Sequence, residues 1–86
     1  MPEVTVRLPS LLAGVVGRSS LKVDADTVDD VLARLVRLHP ALRVHLFDET
    51  GQHRRHVLCF HNDTRWSAQP LRAGDTITIM QAVTGG

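Results

Sequence analysis

The sequence is poor in cysteine and in aromatic residues. Cys59 is its only cysteine, and Phe47, Phe60 and Trp66 are its only aromatic side chains. A lone cysteine excludes an internal disulfide framework, a four-cysteine zinc site and a cysteine-ligated iron–sulfur cluster, and it indicates a reducing compartment. With 86 residues, 43% of them hydrophobic, the chain is long enough for one small domain. Its core must therefore be built from Val, Leu and Ile.

Neither sign of charge dominates the sequence. Ten basic residues stand against nine acidic ones, which gives a formal net charge of +1, and the two signs are interspersed along the chain. Because nucleic-acid affinity comes mainly from clustered Lys and Arg that neutralise phosphates, this balance argues against DNA or RNA as the main partner. The run Arg54-Arg55-His56 is too short to change that expectation.

Membrane segments and catalytic motifs are also missing from the sequence. No stretch approaches the roughly 20 apolar residues of a membrane span, and residues 1–5 have neither the basic nor the apolar region of a secretory leader. No Ser–His–acid grouping, paired catalytic carboxylates or phosphate-binding Gly-rich loop is recognisable. We therefore expect a cytoplasmic protein with no membrane partner that is not itself an enzyme.

Alternation of polar and apolar residues predicts strands at residues 3–8, 20–24 and 76–80. The apolar run at residues 56–61 predicts another strand, and a short strand is expected around Arg65 and Trp66. Residues 10–19 contain Gly14 and Gly17 and are predicted to form a loop. Residues 41–47 are expected to add a short helical turn.

One long helix is predicted to begin after Thr27, whose side chain can cap a free backbone N–H. Apolar residues recur at helical spacing as Val28, Val31, Leu32, Leu35 and Leu38. Asp30 and Arg34 are expected to form an i,i+4 ion pair on the solvent face. Pro40 ends the helix. Packing this helix across one mixed sheet buries the apolar faces economically, which predicts an α+β fold.

Four features of the sequence belong together: the order of these elements, the helix start Thr-Val-Asp-Asp-Val-Leu, the turn Leu-Arg-Ala-Gly-Asp at residues 71–75, and the terminal Thr-Gly-Gly. With these features the chain resembles ubiquitin-like sulfur carriers of the MoaD/ThiS type. The similarity spans the whole chain, and its most specific part is residues 74–86. The resemblance implies a ubiquitin-like β-grasp domain at residues 1–81, with a mixed four- to five-stranded sheet and one main helix. Residues 82–86 would form a flexible C-terminal diglycine tail.

The resemblance also implies a function for the tail. In such carriers a ubiquitin-activating-type enzyme adenylates the terminal glycine carboxylate with ATP, and the product becomes a thiocarboxylate that donates sulfur to a downstream synthase. The attachment site would be Gly86, preceded by Thr84 and Gly85 in the tail. The chain itself would bind no cofactor, since ATP is used by the partner. The pathway would be of the cysteine, secondary-metabolite, thiamin or molybdopterin type.

Two other functions remain open at this point. The same activated glycine can be joined to a lysine of another protein, which would make the chain a protein modifier. Alternatively, the chain is a ubiquitin-like interaction module whose terminal glycines are not activated. Glycines suit either of the first two roles, because they have no side chain and can enter a narrow tunnel.

The strand at residues 56–61 presents an expected partner-binding surface. Leu58 and Phe60 should point away from the helix, beside Met80 on the open face of the sheet. Contiguous exposed apolar residues usually mark a partner surface, so the adenylating enzyme is expected to dock there. The alternative is that the segment around Trp66 folds over them.

Cys59 and the neighbouring histidines offer a nucleophile and a metal site, and we expect neither. Cys59 lies mid-strand on the face of Val57, where a small buried residue is expected. His53, His56 and His61 are close to it in sequence, but His56 and Cys59 should face opposite sides of a strand. The set therefore cannot converge on one metal ion without a bulge.

Overall fold

The computed structural model describes residues 1–65 and 69–81. Nine elements follow one another in these ranges: β1 (Glu3–Arg7), α1 (Ser10–Val16), β2 (Ser20–Asp24), α2 (Val28–Leu38), a 3₁₀ turn (Pro40–Leu42), α3 (Arg43–Leu46), β3 (Val57–His61), β4 (Thr64–Arg65) and β5 (Thr76–Gln81). The strands form one sheet in the order β2-β1-β5-β3-β4. β1 and β5 run parallel, and the other neighbours run antiparallel. The predicted α+β architecture with a mixed sheet is confirmed.

The core lies between one face of the sheet and α2. Alternate residues of the strands are buried, as the period-2 pattern predicts, and they include Val4, Val6, Leu21, Val23, Ile77 and Ile79. α2 buries Val28, Val31, Leu32 and Leu35 against them. The prediction was wrong for Leu38, whose side chain is 57% exposed. Leu38 is the last residue of α2, where the helix has passed the edge of the core.

The start of α2 is capped as predicted. The backbone N–H of Asp30 donates to Thr27 Oγ1 at 3.1 Å. The Asp30 carboxylate in turn accepts the backbone N–H of Asp26 at 3.2 Å. Arg34 turns elsewhere and donates from Nη2 to the Met1 sulfur at 3.0 Å. Asp30 therefore satisfies a backbone N–H at the start of α2, and Arg34 contacts Met1 in place of the expected ion pair with Asp30.

The main error concerns residues 10–19, which form α1 instead of a loop. Pro9 precedes the first turn in an extended conformation, with φ −70° and ψ 163°, and Gly17 ends the helix with φ 92°. A proline before a helix and a left-handed glycine after it are boundary signals, not breakers. The fully buried Leu12 holds α1 on the core, which offsets the cost of about 1 kcal/mol for Gly14 inside a helix.

The remaining boundaries are close to the expected ones. β3 begins at Val57, one residue later than predicted, and a short helical segment precedes it as expected. β4 covers Thr64–Arg65. Trp66, which was expected to extend that strand, lies outside the described residues.

Candidate functional site

The strand that leads to the C-terminus lies in the middle of the sheet. β5 pairs with β1 on one side and β3 on the other, and its Ile77 and Ile79 are 0% and 1% exposed. Gln81, its last residue, lies opposite Val57 at the start of β3. The pairing with β1 ends at Thr78, so the chain leaves the sheet from the part of β5 that pairs with β3. The predicted site residues Thr84, Gly85 and Gly86 lie outside the described residues.

The three predicted partner-binding residues lie together on the open face of the sheet. Leu58 is directly opposite Met80 in the antiparallel β3–β5 pair, and Phe60 is opposite Thr78. Directly paired residues share a face, and Val57 and Cys59 are buried on the other one. Met80 is 50% exposed, and Leu58 and Phe60 are partly buried. We call Leu58, Phe60 and Met80 the docking patch.

The docking patch is adjacent to the point where the chain leaves the sheet. Met80 directly precedes Gln81, the last described residue, and Leu58 is held beside it by the strand register. A protein that contacts this patch would therefore lie next to the exit of the tail. The binding role itself stays a prediction. The alternative, that the segment around Trp66 covers the patch, falls outside the described residues.

Cys59 occupies the core position that the sequence predicts. Its side chain is fully buried, and this burial, with a smaller contribution from the charge of Asp29, raises the pKa of the thiol to about 12. The thiolate is the nucleophilic form of cysteine, and it is scarce at neutral pH when the pKa is so high. The arrangement suits packing and not sulfur chemistry.

A hydrogen-bonded pair that the sequence reading did not identify joins β3 to the turn before β5. His61 Nε2 donates to Asp75 Oδ2 at 2.6 Å, and the two side chains are only 10% and 16% exposed. Asp75 Oδ2 also accepts the backbone N–H of Arg72 at 2.9 Å. These contacts, led by the Arg72 N–H and followed by His61, hold the pKa of the Asp75 carboxyl below its ordinary value.

Asn62 extends this cluster across the same turn. Its Oδ1 accepts the backbone N–H of Thr76 at 2.9 Å, and its backbone adopts a left-handed φ of 54°. Left-handed geometry is tolerated by asparagine better than by most residues. The cluster fixes the start of β5, at the end opposite to the tail. The Gly74-Asp75 turn is visible in the sequence. The contact between Asp75 and His61 is not, because it depends on the register between β3 and β5.

Within residues 1–65 and 69–81, no three side chains of His, Cys, Asp or Glu are grouped as a metal ion would require. His56 precedes β3, and Cys59 faces the core. None of the helices in the described part of the chain has the length and apolar character needed to span a bilayer.

The family model described as the ThiS family matches residues 11–86 of the chain. Among curated proteins, the chain is similar to small archaeal modifier protein 1 of Haloferax volcanii. The two sequences are 34% identical over 79 residues, which cover 87% of this chain and 91% of the relative.

Solved structures agree with this match. The crystal structure of the Haloferax volcanii protein superimposes with a TM-score of 0.87 at 32% identity, covering 98% of this chain and 99% of the other. A chain of the Amycolatopsis orientalis BexX/CysO complex superimposes with a TM-score of 0.81 at 28% identity, covering 96% and 99%. The predicted ubiquitin-like β-grasp fold is confirmed.

Proposed function

Because the chain belongs to the ThiS family of ubiquitin-like proteins, we propose that it is a sulfur carrier whose Gly86 carboxylate is adenylated and then converted to a thiocarboxylate. The observation that carries this proposal is the extent of the family match. It includes β5 and continues through Gly85 and Gly86. The carrier would be a cosubstrate of other enzymes and not an enzyme itself.

The chemistry proceeds in two steps. An α-carboxylate is ionised at neutral pH, and one oxygen of the Gly86 carboxylate attacks the α-phosphorus of ATP in the partner enzyme. Pyrophosphate leaves, and an acyl-adenylate forms. Hydrosulfide from a sulfide donor then attacks the acyl carbon, the bond from that carbon to the phosphate oxygen breaks and AMP leaves. Loss of the S–H proton gives the thiocarboxylate on Gly86. The ATP belongs to the partner, and we propose no cofactor bound by this chain.

The fold supplies a fixed base for a reactive end. β5 pairs with β1 over residues 76–78 and with β3 as far as Gln81. Five residues follow it in the sequence, and at about 3.3 Å each they span at most about 16 Å. That length is sufficient for a terminal carboxylate to enter the active site of a protein docked beside Gln81.

Two partners follow from this chemistry. The first is a ubiquitin-activating-type adenylating enzyme, which we propose docks on Leu58, Phe60 and Met80. The second is a downstream synthase that accepts the sulfur in cysteine, secondary-metabolite, thiamin or molybdopterin biosynthesis. The BexX/CysO complex of Amycolatopsis orientalis supports such an association, because it contains a protein similar to this chain. We place these steps in the cytoplasm.

A second candidate function is conjugation to proteins. The 34% identity to a small archaeal modifier protein favours it. Conjugation and sulfur transfer begin with the same adenylate, and they diverge only when a lysine amine or a sulfur donor attacks. The third possibility, an interaction module with unactivated glycines, predicts no adenylate at all.

Intact-mass spectrometry separates the three functions. The chain ending at Gly86 is incubated with ATP, the adenylating enzyme of the source organism and a sulfide donor. A gain equal to the mass difference between sulfur and oxygen identifies a thiocarboxylate and supports the carrier. A covalent conjugate with a second protein in a lysate identifies a modifier. An unchanged mass under all conditions would contradict both.

A further inference from the structure

Three exposed arginines surround the docking patch, and they come from three separate parts of the chain. Arg7 is the last residue of β1, Arg55 precedes β3, and Arg65 is the last residue of β4. We call Arg7, Arg55 and Arg65 the rim arginines. Nothing in the linear sequence groups them, because strand pairing brings them to one region.

The strand register places two rim arginines on opposite sides of Phe60. Arg7 is opposite Thr78 in the β1–β5 pair, Thr78 is opposite Phe60, and Phe60 is opposite Arg65. Residues paired in this way share one face of the sheet. Three strand spacings of about 4.8 Å separate Arg7 from Arg65, which puts their Cα atoms about 14 Å apart. Phe60 lies between them.

The third rim arginine, Arg55, lines a concavity with Leu58 that also reaches Val57 and Cys59 on the other face of β3. A shallow concavity of about 270 Å³ is lined by His53, Arg55, Val57, Leu58, Cys59 and Arg65. No carboxylate lines it. Leu58 therefore shares this concavity with Arg55 and Arg65, whereas the strand register places Arg7 and Arg65 in the row of Phe60.

No carboxylate in the described part of the chain neutralises the rim arginines. In residues 1–65 and 69–81, ion pairs form between Lys22 and Glu3 at 3.8 Å and between His61 and Asp75. The guanidinium groups of the rim arginines have no carboxylate partner there. Glu3 and Asp24, which are paired at the start of β1, lie at the end of the open face away from Met80. The positive charge near the docking patch is therefore not cancelled by the fold.

An apolar patch with a rim of free arginines fits one kind of partner. Arginine is enriched at protein interfaces, where its planar guanidinium forms paired hydrogen bonds with carboxylates. A nucleic acid would be bound mainly through its phosphates by many basic groups, whereas the centre of this surface is apolar and the net charge of the chain is only +1. The combination of central apolar anchors and flanking charges is the pattern of a protein interface with a polar rim.

We propose that the docking patch binds an acidic protein surface, in which an apolar pocket for Phe60 is flanked by carboxylates that pair with Arg7 and Arg65. This proposal rests on the proposed function, and it identifies that surface as the docking site of the adenylating enzyme. Complementary charges of this kind accelerate association and set orientation. They would align the carrier so that Gln81 and the tail face the active site.

The test is ATP–pyrophosphate exchange by the adenylating enzyme of the source organism, with the carrier as varied substrate. The double variant Arg7→Glu/Arg65→Glu should raise KM about tenfold or more and leave kcat within about twofold, because the reacting carboxylate is untouched. The KM of the parent should rise with ionic strength, and that of the double variant should not. The matched control is Arg37→Glu, an exposed arginine on α2 outside the sheet.

Three results would overturn the inference. An unchanged KM in the double variant would show that the rim arginines do not contact the enzyme. An equal rise in KM with Arg37→Glu would show that the effect comes from the overall charge of the chain and not from the rim arginines. Sedimentation that shows a dimer of the parent, lost in the double variant, would assign the face to a second copy of this chain. Absence of exchange with the parent would instead contradict the proposed function itself, and this inference with it.

Discussion

The imidazole of His61 and the carboxylate of Asp75 form a nearly buried contact of 2.6 Å that ties the end of β3 to the turn before β5. β5 carries the tail at its other end, beyond Gln81. The contact therefore fixes the start of the strand that leads to the tail, although it lies at the opposite end of that strand. Its role is to hold the strand in place.

We expect Asp75→Asn to lower the unfolding temperature by a few degrees at neutral pH. Since the folded pKa of Asp75 is depressed, its stabilisation is complete above the unfolded pKa of about 3.9 and is lost as pH falls through the lower folded value. The difference between variant and parent should therefore shrink in acid. Thermal unfolding followed by circular dichroism from about pH 7 to about pH 2.5 measures it. Asp63→Asn, on the exposed β3–β4 turn, is the control and should show no such convergence.

Removal of Gly86, or addition of one residue after it, should abolish adenylation without affecting the fold. Both changes lie beyond Gln81, the last residue of β5. ATP–pyrophosphate exchange reports activation, and circular dichroism reports the fold. If the extended chain were activated as fast as the parent, the terminal carboxylate would not be the reacting group.

Phe60→Ala should weaken binding of the adenylating enzyme by about 2 kcal/mol, or about thirtyfold in affinity. Phe60 is the aromatic member of the docking patch. In the row from Arg7 to Arg65 it lies between Thr78 and Arg65. Calorimetric titration of the enzyme gives the affinity. Leu38→Ala is a fitting control, because Leu38 is an exposed apolar residue on α2. An affinity within twofold of the parent for Phe60→Ala would place the interface elsewhere.

Cys59→Val should retain stability and still acquire sulfur at Gly86. Valine keeps an apolar side chain of similar size in the core, where such exchanges usually cost less than 1.5 kcal/mol. Intact mass after activation detects the thiocarboxylate. A variant that folds normally and yet forms none would make Cys59 a relay for sulfur.

The thiol of Cys59 should also resist alkylation in the native protein. Burial raises its pKa to about 12, so at about pH 8 the reactive thiolate is rare as well as inaccessible. Iodoacetamide should therefore label Cys59 only through transient opening of the fold, and denaturant should accelerate the labelling. Rapid labelling of the native chain would contradict the buried placement.

Leu12→Ala should destabilise the fold by about 2 to 5 kcal/mol, as expected for a buried leucine. Leu12 is fully buried on α1, whereas its neighbour Leu11 is 57% exposed. Leu11→Ala should therefore cost less than about 0.5 kcal/mol. Denaturant unfolding of the two variants measures the contrast. Equal effects would mean that α1 does not pack on the core as described.

The sequence by itself determined the elements whose signals are local. Alternation over a few residues predicts β1, β2 and β5, and Thr27 with the apolar stripe after it predicts α2. These patterns are reliable because each strand and helix has one face in the core. The apolar residues of that face therefore recur in the sequence with the period of the strand or the helix. The placement of Cys59 in the core follows from the same rule.

Only the tertiary structure decided which distant residues meet. α1 was not predicted, because Pro9 and Gly17 are typical of loops. In the structure these residues flank a helix that buries Leu12. The pairing of His61 with Asp75 depends on the register of β3 against β5. The row of Arg7, Phe60 and Arg65 depends on three successive registers. A register is set by contacts between segments far apart in the chain, so no local pattern contains it.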